Sequence, residues 1–136
     1  MRTKISILFL LFAFVLSYTA FAYAAVSDNV SIMAENYRSV SVDLSISSGT
    51  ATVKGSLTGI VGTTTKATVH LYLQQYKDGE WINCEDWIES KDGANCTVTK
   101  TMSVAKGYKY RAKASCYAYA GSKSEHVTKY SKEVTY

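Results

Sequence analysis

The 136-residue chain carries 15 lysine and arginine side chains against 11 carboxylates, and it has 11 tyrosines and no proline. Without Arg2 and Lys4, which belong to an N-terminal leader, 13 basic groups face 11 acidic ones, a net charge of +2. So small an excess argues against phosphate-driven nucleic-acid binding and against attack on anionic membranes, and the length suits a single domain.

The leader reads from its order of parts. Arg2 and Lys4 precede the apolar run "ISILFLLFAFVL", and the small-x-small step Ala22-Tyr23-Ala24 follows. That is the layout of a secretory signal peptide over residues 1–24, with cleavage expected after Ala24. Its apolar core falls short of the ~20 residues that span a bilayer, so no stable membrane insertion of the mature chain is expected. A polar lead-in occupies residues 25–37, and residues 38–136 read as one domain released outside the cell.

That domain alternates with period two. In "RSVSVDLSIS", Val40, Val42, Leu44 and Ile46 form one row and Ser39, Ser41, Asp43 and Ser45 the other. "SSGT" is a turn, and "ATVKGSLTG" returns with Ala51, Val53 and Leu57 on its dry side. In "KATVHLYLQQY", Ala67, Val69, Leu71 and Leu73 face inward, with His70, Tyr72, Gln74 and Tyr76 outward. "KDGE" supplies an Asp-Gly hairpin turn. "WINCEDWIE" carries large side chains on both faces; with its odd positions outward, Trp81 and Trp87 lie beside the outer row of the preceding strand. "NCTVTKTMSV" has Cys96, Val98, Met102 and Val104 on its dry side, interrupted by Lys100.

"YKYRAKASCYAY" divides cleanly. Three charges cannot face a dry core unpaired, so Lys109, Arg111 and Lys113 point out with Ser115, Tyr117 and Tyr119. Tyr110, Ala112, Ala114, Cys116 and Ala118 point in. "SEHVTKYSKEVTY" closes the chain as a seventh strand. Seven strands with short turns predict an all-β, antiparallel, seven-stranded β-sandwich, with the third, fourth, sixth and seventh strands in one sheet.

"VAKGYKY" places a tyrosine six positions after an apolar residue, across a glycine turn. It resembles the E–F corner of immunoglobulin-like and fibronectin type III domains. The resemblance implies that Val104 anchors the turn and that Tyr110 is a tyrosine corner, its hydroxyl bonding back to the upstream backbone. The mature chain also resembles a group of small secreted proteins of Gram-positive bacteria, through "GTATVKGSLTG", "YRAKASCYAYAGSKSE" and "VTKYSKEVTY". That likeness implies an extracellular protein and brings no activity with it.

Three cysteines in an exported chain predict one disulfide and one spare thiol. Cys96 and Cys116 flank the turn at Lys106 symmetrically and both point inward, which makes them the first pairing; Cys84 with Cys96 is the alternative.

Catalytic motifs find no support. "SVAK" and "SDN" match penicillin-binding signatures only in reversed order and without their Lys-Thr-Gly partner. His70 and His126 lack a sequence-local partner, and the carboxylates of Asp78, Glu80, Glu85 and Asp86 lie in no ligand-spaced calcium loop. No enzyme, cofactor, metal or nucleic-acid partner is expected.

The outer aromatic row points instead to recognition of a surface glycan or a protein. Its candidate face comprises His70, Tyr72, Tyr76, Trp81, Trp87, Arg111, Lys113, Tyr117 and Tyr119. The alternative is a structural or self-assembling extracellular protein. Acid concentrates at Asp78, Glu80, Glu85, Asp86, Glu89 and Asp92, while base dominates from Lys100 onward, so acidic edge can meet basic edge. A secreted antibacterial or toxin-like protein is a third reading.

Overall fold

The computed structural model describes residues 34–136; the signal peptide, its expected cleavage point and the lead-in up to residue 33 lie outside the described residues. The strands are β1 (Tyr37–Ser47), β2 (Thr50–Gly59), β3 (Lys66–Lys77), β4 (Glu80–Asp92), β5 (Asn95–Ser103), β6 (Lys109–Ala120), β7 (Lys123–Tyr130) and β8 (Val134–Thr135). They form two antiparallel sheets, one ordered β1-β2-β5 and the other β4-β3-β6-β7, with β8 also paired to β6.

Two tight turns set the register. Ser48 and Gly49 join β1 to β2, and Asp78 and Gly79 join β3 to β4; all four have positive φ, from 48° to 85°. That is the primed hairpin geometry whose twist matches the flanking strands. The links from β2 to β3 and from β4 to β5 pass between sheets. There Thr64 accepts from Ile60 N–H at 2.8 Å and donates to the Asn36 carbonyl, while Gly59 N–H donates to Ala94 O at 2.6 Å.

The core follows the period-two rows. Val40, Ala51, Val53, Leu57, Val69, Leu71, Leu73, Cys96, Val98, Tyr110 and the alanines of β6 are buried between the layers. Each fully buried valine or leucine stabilises the fold by about 1.5–3 kcal/mol relative to exposure. Gly55 sits in the dry row of β2, where a Cβ would meet Leu71 Cδ1 at 2.9 Å and Val69 Cγ1 at 3.2 Å. The bulky side chains of β3 therefore fit because the facing rows are small.

Two expectations are corrected. The closing run is not one strand, so there are eight strands among the described residues rather than seven. Ser131 interrupts it: its Oγ accepts from Ala112 N–H at 2.8 Å and its N–H donates to Ala112 O at 2.9 Å. Nor do Trp81 and Trp87 share a face. Leu73 pairs with Glu85 and Gln74 with Asn83, leaving Cys84 as the extra residue of a β-bulge. The bulge reverses the phase, so Trp81 lies on the outer face opposite Tyr76, and Trp87 pairs with Leu71 and packs on the core.

The expected disulfide is not formed either. Cys84, Cys96 and Cys116 are all free thiols. Cys96 Sγ donates to Glu89 O at 3.6 Å. Burial pushes the Cys116 thiol up to about 12, with the neighbouring Cys96 adding to the rise. Burial likewise raises Cys96 and Cys84. Thiol–disulfide exchange proceeds through thiolates, which these environments disfavour.

Candidate binding surface: the outer face and open edge of the larger sheet

The outer face of β4-β3-β6-β7 is built by register. Tyr72 stands opposite Lys113 and Asp86, Gln74 opposite Arg111 and Asn83, and His70 opposite Ser115 and Ile88. On β6 and β7, Tyr117 stands opposite His126 and Lys113 opposite Tyr130. Of the nine residues expected there, His70, Tyr72, Tyr76, Trp81, Arg111, Lys113, Tyr117 and Tyr119 lie on one face, and Trp87 does not.

Most of these rings are already occupied by the chain's own side chains. The Arg111 guanidinium lies 4.2 Å from the Trp81 ring centroid and 4.3 Å from that of Tyr130, and its Nε–H donates to Gln74 Oε1 at 2.8 Å. Lys113 Nζ lies 5.0 Å over Tyr72, and Lys66 Nζ lies 5.6 Å over Tyr119. Tyr117 stacks on His126 at 4.5 Å. Such contacts stabilise by ~0.5–1 kcal/mol each at a surface.

Each histidine has a partner on a neighbouring strand, Asp86 for His70 and Ser115 for His126, that alternation along one strand could not reveal. Tyr72 Oη donates to His70 Nδ1 at 2.8 Å, and His70 Nε2–H donates to Asp86 Oδ2 at 2.6 Å. Ser115 Oγ and His126 Nε2 share a hydrogen bond of 2.6 Å. Burial raises the Tyr72 hydroxyl above its ordinary value, and the charges of Asp86 and Tyr117 add to the rise. The Tyr72–His70–Asp86 chain braces β3 against β4 across the outer face. No group of three potential metal ligands occurs among the described residues.

After Tyr130, which is 50% exposed, Tyr76 keeps the most open ring of this face at 40%. It tilts 56° to Trp81 at 5.2 Å, and the two line a shallow cleft of about 310 Å³ with Lys109 and Glu133, an ion pair at 3.8 Å. Next to that cleft, on the inner face of the same strand pair, Tyr110 Oη donates to Ala105 O at 2.8 Å and accepts from Gln75 Nε2 at 3.1 Å.

The edge of this sheet is as distinctive as its face. β4 has thirteen residues and, among the described residues, pairs with β3 alone. Gly93 N–H donates to Thr65 O at 2.8 Å. Bonding alternates along an antiparallel ladder, so Lys91, Glu89 and Trp87 turn their peptide groups to β3. Asp86, Ile88 and Ser90 turn theirs to the open side, and Asp86 N–H bonds there to Glu85 Oε1 at 3.1 Å. On the inner side Glu89 forms an ion pair with Lys100 at 3.2 Å, joining the rims of the two sheets.

No protein-family model and no curated protein matches the chain. Among solved structures it is similar to CsgH of R. palustris, in solution, with a TM-score of 0.41 and 15% identity over 71% of this chain and 89% of that one. It is similar also to the curli protein CsgC of E. coli, with a TM-score of 0.36 and 9% identity over 67% of this chain and 94% of that one.

Proposed function

We propose that this chain is a non-catalytic extracellular protein that works by joining protein chains, further copies of itself included, rather than by stacking on a glycan. The observation that carries this reading is the open, acidic edge of β4, set beside an outer face whose rings are mostly covered. A saccharide needs a bare ring face, and Arg111, Lys113, Lys66 and His126 lie over those of Trp81, Tyr72, Tyr119 and Tyr117, leaving Tyr130 and Tyr76 the more exposed rings. An edge strand, by contrast, offers a row of unpaired donors and acceptors. The strand order and the Tyr110-to-Ala105 bond support the finer assignment to a fibronectin type III-like sandwich. The leader and the resemblance to secreted proteins of Gram-positive bacteria support action outside the cell.

Two measurements test the reading together. Light scattering across concentration, salt and reductant should show association that added salt weakens. Chromatography on immobilised wall and host polysaccharides should show no retention. Retention that Tyr76→Ala/Trp81→Ala or Tyr130→Ala abolishes would restore the glycan reading, since these rings line clefts that leave an aromatic open.

A further inference from the structure

We propose that the β4 edge over Glu85–Asp92 takes a cationic extended segment of another protein as an added strand. This inference rests on the protein-joining reading and names the class of partner. The Cys84 bulge divides β4, and the longer regular part follows it. Within that part, the residues with outward-turned peptide groups are also those with outer-face side chains: Asp86, Ile88 and Ser90, with Asp92 completing the row.

Those side chains specify what can dock. Asp86 and Asp92 stand at either end, and Glu85 adds a third carboxylate. Ile88 lies between them, 63% exposed and opposite the His70–Tyr72 brace. An added antiparallel strand would place every second side chain opposite these four. Complementarity then asks for lysine or arginine facing Asp92, a hydroxyl facing Ser90, an apolar β-branched residue facing Ile88, and a second cation facing Asp86.

Carboxylates along an edge are also a common defence against unwanted pairing. That defence is selective here. It repels another β4, because like charges meet, and it attracts a basic strand. A defence alone would not leave Ile88 bare at its centre, where it favours an incoming apolar side chain. Docking by main-chain bonds for affinity and alternate side chains for choice is an established physical mode of peptide recognition.

The probe is a blocked seven-residue peptide with lysine at both ends, valine at its fifth position and threonine elsewhere. Its control carries glutamate in place of both lysines. Titration into isotope-labelled protein, followed by amide NMR, should show saturable binding of the lysine peptide at least about tenfold tighter than the glutamate peptide at low salt. The Ile88 and Ser90 amides should gain exchange protection, whereas Trp87 and Glu89, already bonded to β3, should not change. Ser90→Pro removes one open-side donor and no main-chain bond to β3 and should abolish binding, with unchanged Trp87 and Glu89 signals reporting an intact sheet, whereas Ser90→Ala, which loses only the 2.7 Å hydroxyl bond to Thr68, should still bind. Ile88→Lys, which keeps every peptide group, should weaken it at least about tenfold through lost apolar contact and added like charge. Shifts confined to the Tyr72–Tyr117 face, equal binding of both peptides, or no binding would overturn the inference while leaving protein association standing. Retention on polysaccharide would remove the reading beneath it.

Discussion

Arg111 on β6 lies flat between Trp81 of β4 and Tyr130 of β7, 4.2 Å from one ring centroid and 4.3 Å from the other. With its bond to Gln74 of β3, one side chain ties together all four long strands of the larger sheet. Arg111→Ala should therefore destabilise by about 1–3 kcal/mol, read from urea unfolding followed by tryptophan fluorescence. Arg111→Lys should recover less than half of the loss, because an ammonium cannot stack on two rings and still bond to Gln74. Full recovery by lysine would reduce the role to simple charge.

Gly55 is where the two layers come closest. Gly55→Ala should cost about 1–3 kcal/mol by forcing Leu71 off its position. Combining it with Leu71→Val should cost less than the sum of the two single changes, because the shorter side chain vacates the space. Additive losses in denaturant midpoint would mean that the contact does not limit the packing.

The cysteines give a pH signature. Cys116 is held near 12 in the folded chain against an ordinary thiol value of 9.0. Between those values the unfolded chain loses a proton that the folded chain keeps, so stability falls as pH rises, by about 1.4 kcal/mol per unit from this group. Cys116→Ala should remove that part of the slope above pH 9 and leave the curve below it unchanged in shape. Thiol titration should count three reactive groups after denaturation and little reaction beforehand. Fewer than three after denaturation without reductant would establish a bridge.

Tyr110→Phe tests the corner. The lost hydroxyl leaves Ala105 O and the Gln75 amide without their partner, which should cost about 1–3 kcal/mol in equilibrium unfolding. Gln75→Leu should cost less, because Tyr110 still donates to Ala105.

Alternation in "KATVHLYLQQY" and "YKYRAKASCYAY" was enough to sort inner from outer side chains on β3 and β6. Burial of Leu71, Leu73, Ala112 and Ala114 beside the outward Arg111 and Lys113 follows directly from it. The "KDGE" and "SSGT" turns were equally plain, since positive φ at their central residues needs those residue types. Trp87 was misplaced because a bulge is a pairing event: nothing local to "WINCEDWIE" marks Cys84 as the residue without a partner. The cation–aromatic stacks on Trp81, Tyr130 and Tyr72 were invisible for the same reason, each joining residues far apart in the chain.

The sequence by itself determined the two-faced strands, the turns and the division of apolar from charged rows, because period-two patterning and turn chemistry act over a few residues. Only the tertiary structure decided which rings are covered, how deeply each thiol is buried and, among the described residues, which edge stays open. Those outcomes depend on register between strands and on where the sheet stops pairing, and both are set by contacts between distant segments.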